Sequence, residues 1–226
     1  MVKLPTGFTF NALSFELENH LKYLTDYHKE MEGQLVKLNT EYKENFDEWM
    51  SQEGVSKKDQ LHEIMISSIE YTFEDKFSQI LREQILTSIY GLIESSFFSA
   101  SEFLRKEKNK QLALKDIAAR SPEKRWKKYF SHILEIDLNF DQEVWTSIKR
   151  MREIRNVLVH TGGIKGQISD SNLKKLKEIV KHESGLTISS YEIEIEPKYL
   201  NNQFDVASKV VNALVHIINN NGMGVQ

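Results

Sequence analysis

Between Ala12 and Met50 the apolar side chains return every three or four positions: Leu13, Leu17, Leu21, Leu24, Tyr27, Met31, Leu35, Leu38 and Tyr42. That period keeps one face of an α-helix dry, and it does not fit the two-residue alternation of a half-buried strand. It predicts a long amphipathic helix, interrupted near Gly33 and coiled-coil-like in its packing. Gln52-Glu53-Gly54 ends it, and Ser56 is the cap expected for the next helix. From Lys58 to about Lys108 the helical period returns, with a joint expected near Thr72–Lys76. Three prolines and ten glycines in 226 residues leave little to interrupt helices. The fold class predicted is all-α, with a helical arm over residues 1–55 and a helical domain over 56–226.

One stretch departs from that period. Leu186-Thr-Ile-Ser and Tyr191-Glu-Ile-Glu-Ile195 alternate apolar and polar residues around Ser189-Ser190, which predicts a minor β-hairpin ended by Pro197. Elsewhere the signals are helical. Ser121-Pro122-Glu123 has the form of a helix start, and 137–141 reads as a short loop. Ser169 or Ser171 opens a basic helix to about His182. The last helix runs from about Tyr199 to Asn219, burying Val206, Val210, Leu214 and Ile217, with a frayed end through Gly222. Residues 1–11 read as an irregular lead-in broken by Pro5 and Gly7, without the basic region and long apolar core of a signal peptide. No window reaches the roughly 18 apolar residues of a membrane span. Without cysteine there are no disulfides and no thiolate metal sites. A soluble cytoplasmic protein with no membrane partner is the expectation.

A net charge of −3 argues against a globally basic nucleic-acid binder, so such contact needs a local patch. The arm is no candidate: from Met1 to Glu63 twelve acids face seven lysines, which repels phosphate. It reads as a packing or dimerisation helix. Residues 105–128 are the reverse, with ten Lys and Arg against Glu107, Asp116 and Glu123. Trp126 and Tyr129 lie among those cations, and such rings can stack on splayed bases. Lys124, Arg125, Trp126, Lys127 and Lys128 are therefore the candidate substrate-binding residues. The plain alternative is solvated surface with core aromatics.

The chain carries no phosphate-cradling glycine loop, no paired-histidine metal motif and no nucleophile elbow. One pair stands out, in Met151-Arg-Glu-Ile-Arg-Asn-Val-Leu-Val-His-Thr-Gly-Gly163. Val144, Ile148, Met151, Ile154 and Leu158 mark the buried face of a helix, and Arg155 falls on that stripe. A guanidinium keeps its charge at any ordinary pH, so in a desolvated place it needs an acidic partner or a bound anion. His160 follows, the side chain suited to proton transfer near neutral pH, and Gly162-Gly163 stop the helix. On an ideal helix Arg155 and His160 lie about 140° apart, while Asn156 and His160 share a face. The pair converges only if the last turn is distorted or a second helix or chain completes the site. Glu94 is the sole charged residue between Gln84 and Ser101, and it shares a face with Tyr90 and Phe97. It is the acid expected to pair with Arg155. The alternatives are a core salt bridge for Arg155, a helix C-cap role for His160 and a solvent-facing Glu94.

Arg155-Asn156-x-x-x-His160 resembles the R-x4-6-H signature of the HEPN superfamily, in which a polar residue often follows the Arg. The likeness rests on this motif and on helical context over roughly residues 60 to 220. It implies an all-α bundle, a homodimer in which two motif copies face each other, and a metal-independent endoribonuclease without cofactors. In that scheme His160 is general acid or base, Arg155 holds the scissile phosphate, Asn156 orients His160 or touches substrate, and Glu94 fixes Arg155. The partners implied are RNA and an antitoxin or defence-system protein, in a toxin or phage-defence role. Other members of the superfamily are non-catalytic dimerisation or nucleotide-binding modules, which leaves that reading open beside the first. A coiled-coil scaffold built on the first helix is a third.

Overall fold

The structure, a computed structural model, describes residues 11–54, 56 and 59–221. The expected lead-in before Asn11, the helix start at Lys58 and the frayed end at Gly222 lie outside the described residues. Among the described residues seven α-helices and one hairpin follow in order. They are α1 (Ala12–Gln52), α2 (Gln60–Glu70), α3 (Ser78–Glu107), α4 (Pro122–Tyr129), α5 (Gln142–Thr161), α6 (Asp170–Val180), β1 (Leu186–Ile188), β2 (Ile193–Ile195) and α7 (Pro197–Asn221). The fold is all-α with a minor hairpin, and no helix among the described residues is long and apolar enough to cross a membrane.

Several ends are set by the residues the sequence marks, and several are not. Ser121 caps α4 by accepting from the Lys124 amide, with Pro122 in the first turn. Ser169 does the same for α6 at the Asn172 amide. Asp59, not Ser56, caps α2 through the Leu61 amide at 2.9 Å. α1 runs unbroken through Gly33, because that glycine sits in open space and costs a helix interior only about 1 kcal/mol. The joint expected near Thr72–Lys76 is a π-helical turn, Tyr71–Phe77, that carries α2 into α3 without breaking the chain of backbone bonds. Pro197 does more than stop β2. It is the first residue of α7, where a missing N–H leaves nothing unsatisfied.

The chain folds as two compact units. One takes the described residues up to Tyr23, Ser88–Asn156, and Asn201 onward; the other takes Leu24–Thr87 and Val157–Leu200. At the centre of the first is Phe97 on α3, fully enclosed. The Trp126 indole lies flat on it, 4.2 Å between centroids at 10°. Phe130 and Phe140 meet it edge-on at 5.9 Å and 6.2 Å. Such rings supply large apolar area together with the stacked and edge-to-face geometries their quadrupoles favour. In α7, Ala207, Val210, Val211, Leu214 and Ile218 close this core, and the Ser14 hydroxyl donates to Asn219 Oδ1 at 2.8 Å.

In the second unit α1 runs antiparallel to α2 and the start of α3. Arg82 forks onto both oxygens of Glu32 at 2.7 and 3.0 Å, Lys43 donates to Glu70 at 2.8 Å, and Asp47 meets His62 at 2.6 Å. The hairpin is antiparallel, with Leu186 opposite Ile195 and Ile188 opposite Ile193. Its four-residue loop is held by the Ser189 hydroxyl, which accepts from the amides of Tyr191 and Glu192. The outer edge of β2 is closed by a side chain. Gln79 Nε2 donates to the Ile193 carbonyl at 2.7 Å and its Oε1 accepts from the Ile195 amide at 3.0 Å. The Ile193 amide donates to the Gly163 carbonyl at 3.1 Å, so the backbone groups of this buried edge are satisfied without another strand.

Candidate functional site

The motif lies on α5. Asp141 starts that helix by accepting from the Val144 amide at 2.8 Å. Val144, Ile148, Met151, Ile154 and Leu158 are buried along it, which is the stripe read from the sequence. Arg155 sits half-buried at the edge of the stripe. Its Nη1 donates to Asn156 Oδ1 at 3.2 Å, while its Nε is enclosed without a hydrogen-bond partner. No carboxylate pairs with it among the described residues.

Glu94, the acid expected to pair with Arg155, does not do so. It lies half-buried beside the Tyr90 phenol. Burial first, and the Glu94 carboxylate second, push the Tyr90 hydroxyl far up from its ordinary range. The arginine that holds acids is Arg152, one turn earlier. Its Nη2 donates to Glu153 Oε1 at 2.8 Å, and its Nε lies 3.3 Å from the buried Glu123. Sequence order could not choose between Glu94 and Glu123, because the choice depends on which helices pack against α5.

Asn156 is committed to Arg155 through its oxygen, so in this structure it orients the arginine. His160 is exposed on the last turn, in the second of the two units. α5 stays regular to Thr161, so Arg155 and His160 point about 140° apart by helix geometry. The distorted last turn that would bring them together is not found. The stop itself is the expected one: Gly162 and Gly163 have φ of +58° and +72°. Gly163 is also a close approach, since a Cβ there would stand 2.9 Å from Glu83 Oε1 and 3.2 Å from Leu158 Cδ2. Burial holds the Glu83 carboxyl above the usual carboxylate range.

The basic stretch divides by depth. Lys124, Lys127 and Lys128 are exposed on α4, and Arg125 is half-buried with its Nε enclosed. Trp126 is a correction. It is only 4 % exposed and lies against Phe97, so it has no face to offer a base. Tyr129 is likewise buried, its hydroxyl donating to the Leu112 carbonyl at 2.8 Å. An aromatic the sequence reading did not single out, Trp145, is also largely buried, 7 % exposed and stacked 6.1 Å from Phe97, but it lines a cavity of the same unit. The Lys127 ammonium lies over the Trp145 ring, 4.4 Å from its centroid. Only a hint was available, an aromatic directly after the first apolar residue of α5.

No group of three or more His, Cys, Asp or Glu among the described residues is placed to hold a metal ion. Comparison of the chain with family models, with curated proteins and with solved structures returned no match.

Proposed function

We propose that the chain is a metal-independent endoribonuclease of the HEPN kind, active as a homodimer in a toxin or phage-defence role. The observation that supports this is Arg155. Its guanidinium is half-buried with Nε enclosed and unpartnered, no carboxylate reaches it among the described residues, and a bound anion would complete it. The scissile phosphate of RNA is such an anion. RNA also carries its own nucleophile, the 2′-hydroxyl. Its oxygen attacks phosphorus, the bond to the 5′-oxygen breaks, and a 2′,3′-cyclic phosphate and a free 5′-hydroxyl result. One group must take the 2′ proton and another must protonate the leaving oxygen. His160, exposed at the helix end, supplies one of these. His160 of a second copy supplies the other. Arg155 stabilises the charge growing on the phosphoryl oxygens, and Asn156 holds the guanidinium in place for it.

The regularity of α5 to Thr161 favours a second reading, a non-catalytic helical module that binds nucleotide, RNA or a partner protein. Within one chain Arg155 and His160 diverge, so without a facing copy they serve separate ends. The substrate decides between the two. An RNA strand should be cut, and the same strand built throughout from 2′-deoxynucleotides should survive, because it lacks the nucleophile. Equal cutting of both strands, or of neither, removes the proposed chemistry.

A further inference from the structure

The first unit carries a cavity of about 260 Å³ whose lining includes Lys127, Ser131, Asp137, Asn139, Phe140 and Trp145. Its aromatic wall is the Phe140–Trp145 pair, 5.3 Å between centroids and near perpendicular at 76°. Its polar rim is open to a ligand. The Asn139 side chain is exposed and has no hydrogen-bond partner among the described residues, its backbone in the left-handed region at φ +49°. Among the described residues Asp137 accepts only the Asn139 amide, at 3.0 Å. The Ser131 hydroxyl donates to the Lys127 carbonyl and keeps its lone pairs free.

The charge beside this cavity is unbalanced. Lys124, Lys127 and Lys128 stand three and four positions apart on α4, where like charges repel. The helix's one acid, Glu123, is buried against Arg152, and none of the three lysines forms an ion pair among the described residues. For want of an anion, Lys127 rests its ammonium on the Trp145 ring. An aromatic wall, a hydrogen-bonding rim and three unpaired cations are what a base with its phosphates requires.

We propose that this cavity and the lysine face of α4 bind one unstacked nucleotide of single-stranded RNA. The base enters against Trp145 where the Lys127 ammonium now lies, and Lys124, Lys127 and Lys128 take the flanking phosphates. This rests on RNA being the substrate, and it names where that substrate is gripped apart from Arg155 and His160. The base must leave its stack to enter, so a duplex is excluded.

The test is fluorescence anisotropy of a labelled single-stranded RNA on the full chain carrying His160→Ala, which keeps the probe intact. Trp145→Leu should weaken binding by on the order of tenfold, the usual cost of losing a base–aromatic stack. Because Trp145 also packs on Phe97, that loss counts only where circular dichroism shows the variant folded at the assay temperature. Lys127→Glu, at an exposed position that leaves the core alone, should weaken it at least as much. Lys124→Gln with Lys128→Gln should weaken binding and flatten its dependence on salt. Unlabelled RNA duplex of the same sequence should compete poorly. Unchanged affinity in Lys127→Glu and Trp145→Leu, or equal competition by duplex, overturns the pocket while leaving RNA as substrate. A protein without the His160 change that binds as described but cuts nothing in the deoxynucleotide comparison retains the pocket and loses the ribonuclease reading. Failure to bind RNA at low salt overturns both.

Discussion

Trp126→Ala removes an indole that is 4 % exposed and lies parallel to Phe97 at 4.2 Å. Phe97 also touches Phe130, Phe140 and Trp145, so the void opens at the centre of a ring cluster that cannot collapse without moving several elements. Deleting a buried Trp or Phe side chain costs about 3–5 kcal/mol, of which the stacked ring pair accounts for about 0.5–1.5 kcal/mol. Against a total stability of about 5–15 kcal/mol that is a large loss. At about 2–4 °C per kcal/mol for a chain of this size, the melting midpoint should fall by about 6–20 °C. The assay is thermal unfolding followed by far-ultraviolet circular dichroism, with Lys128→Ala as the exposed control on the same helix, expected to stay within about 0.5 kcal/mol. RNA affinity measured well below the midpoint should change little. A midpoint within about 2 °C of the parent, together with lost RNA binding, would mean that Trp126 faces solvent and that the core described here is wrong.

Gly163→Ala should destabilise by more than the about 1–2 kcal/mol cost of a left-handed backbone, because its Cβ meets Glu83 and Leu158, whereas Gly162→Ala pays the backbone cost alone. Urea midpoints in the reverse order contradict the packing at this turn. Gln79→Ala strips the Ile193 carbonyl and the Ile195 amide of their partner, at about 1–3 kcal/mol for each buried group left unsatisfied, and hydrogen exchange should quicken at Ile195. Burial holds His28 below its ordinary 6.5, so the folded form binds fewer protons there than the unfolded chain. That contribution is fully present above pH 6.5 and is lost as the pH falls through the folded value. His28→Gln should flatten this part of the stability profile, and an unchanged slope would assign it to other groups.

The helices were legible because the apolar period is long and rarely interrupted, and because Ser121-Pro122 and Ser169 are caps with local causes. Gly33 shows the limit of local reading: one exposed glycine costs too little to break a helix held by many turns of pattern. The π-helical turn at Tyr71–Phe77 left no mark in composition. At the site, the stripe of α5 and the glycine stop were legible, and the partner of Arg155 was not. Glu94 and Glu123 are both acids in apolar company, and only the packing of α3 and α4 sends Glu123 to Arg152 and leaves Arg155 without a carboxylate among the described residues. Trp126 was misread for a related reason. Lysines dominate its neighbourhood, yet Glu123, Trp126 and Tyr129 recur every three residues and form the buried face of α4.

What matters most is whether His160 moves protons during RNA cleavage. The measurement is cleavage of RNA in EDTA by the purified protein, side by side with His160→Ala, with the ends of the products identified. The account predicts 2′,3′-cyclic phosphate ends from the parent and a fall of about 10²–10⁴-fold in the variant. Equal cleavage by both, or none by either from folded protein on varied RNAs, contradicts it and leaves the motif a structural feature of α5.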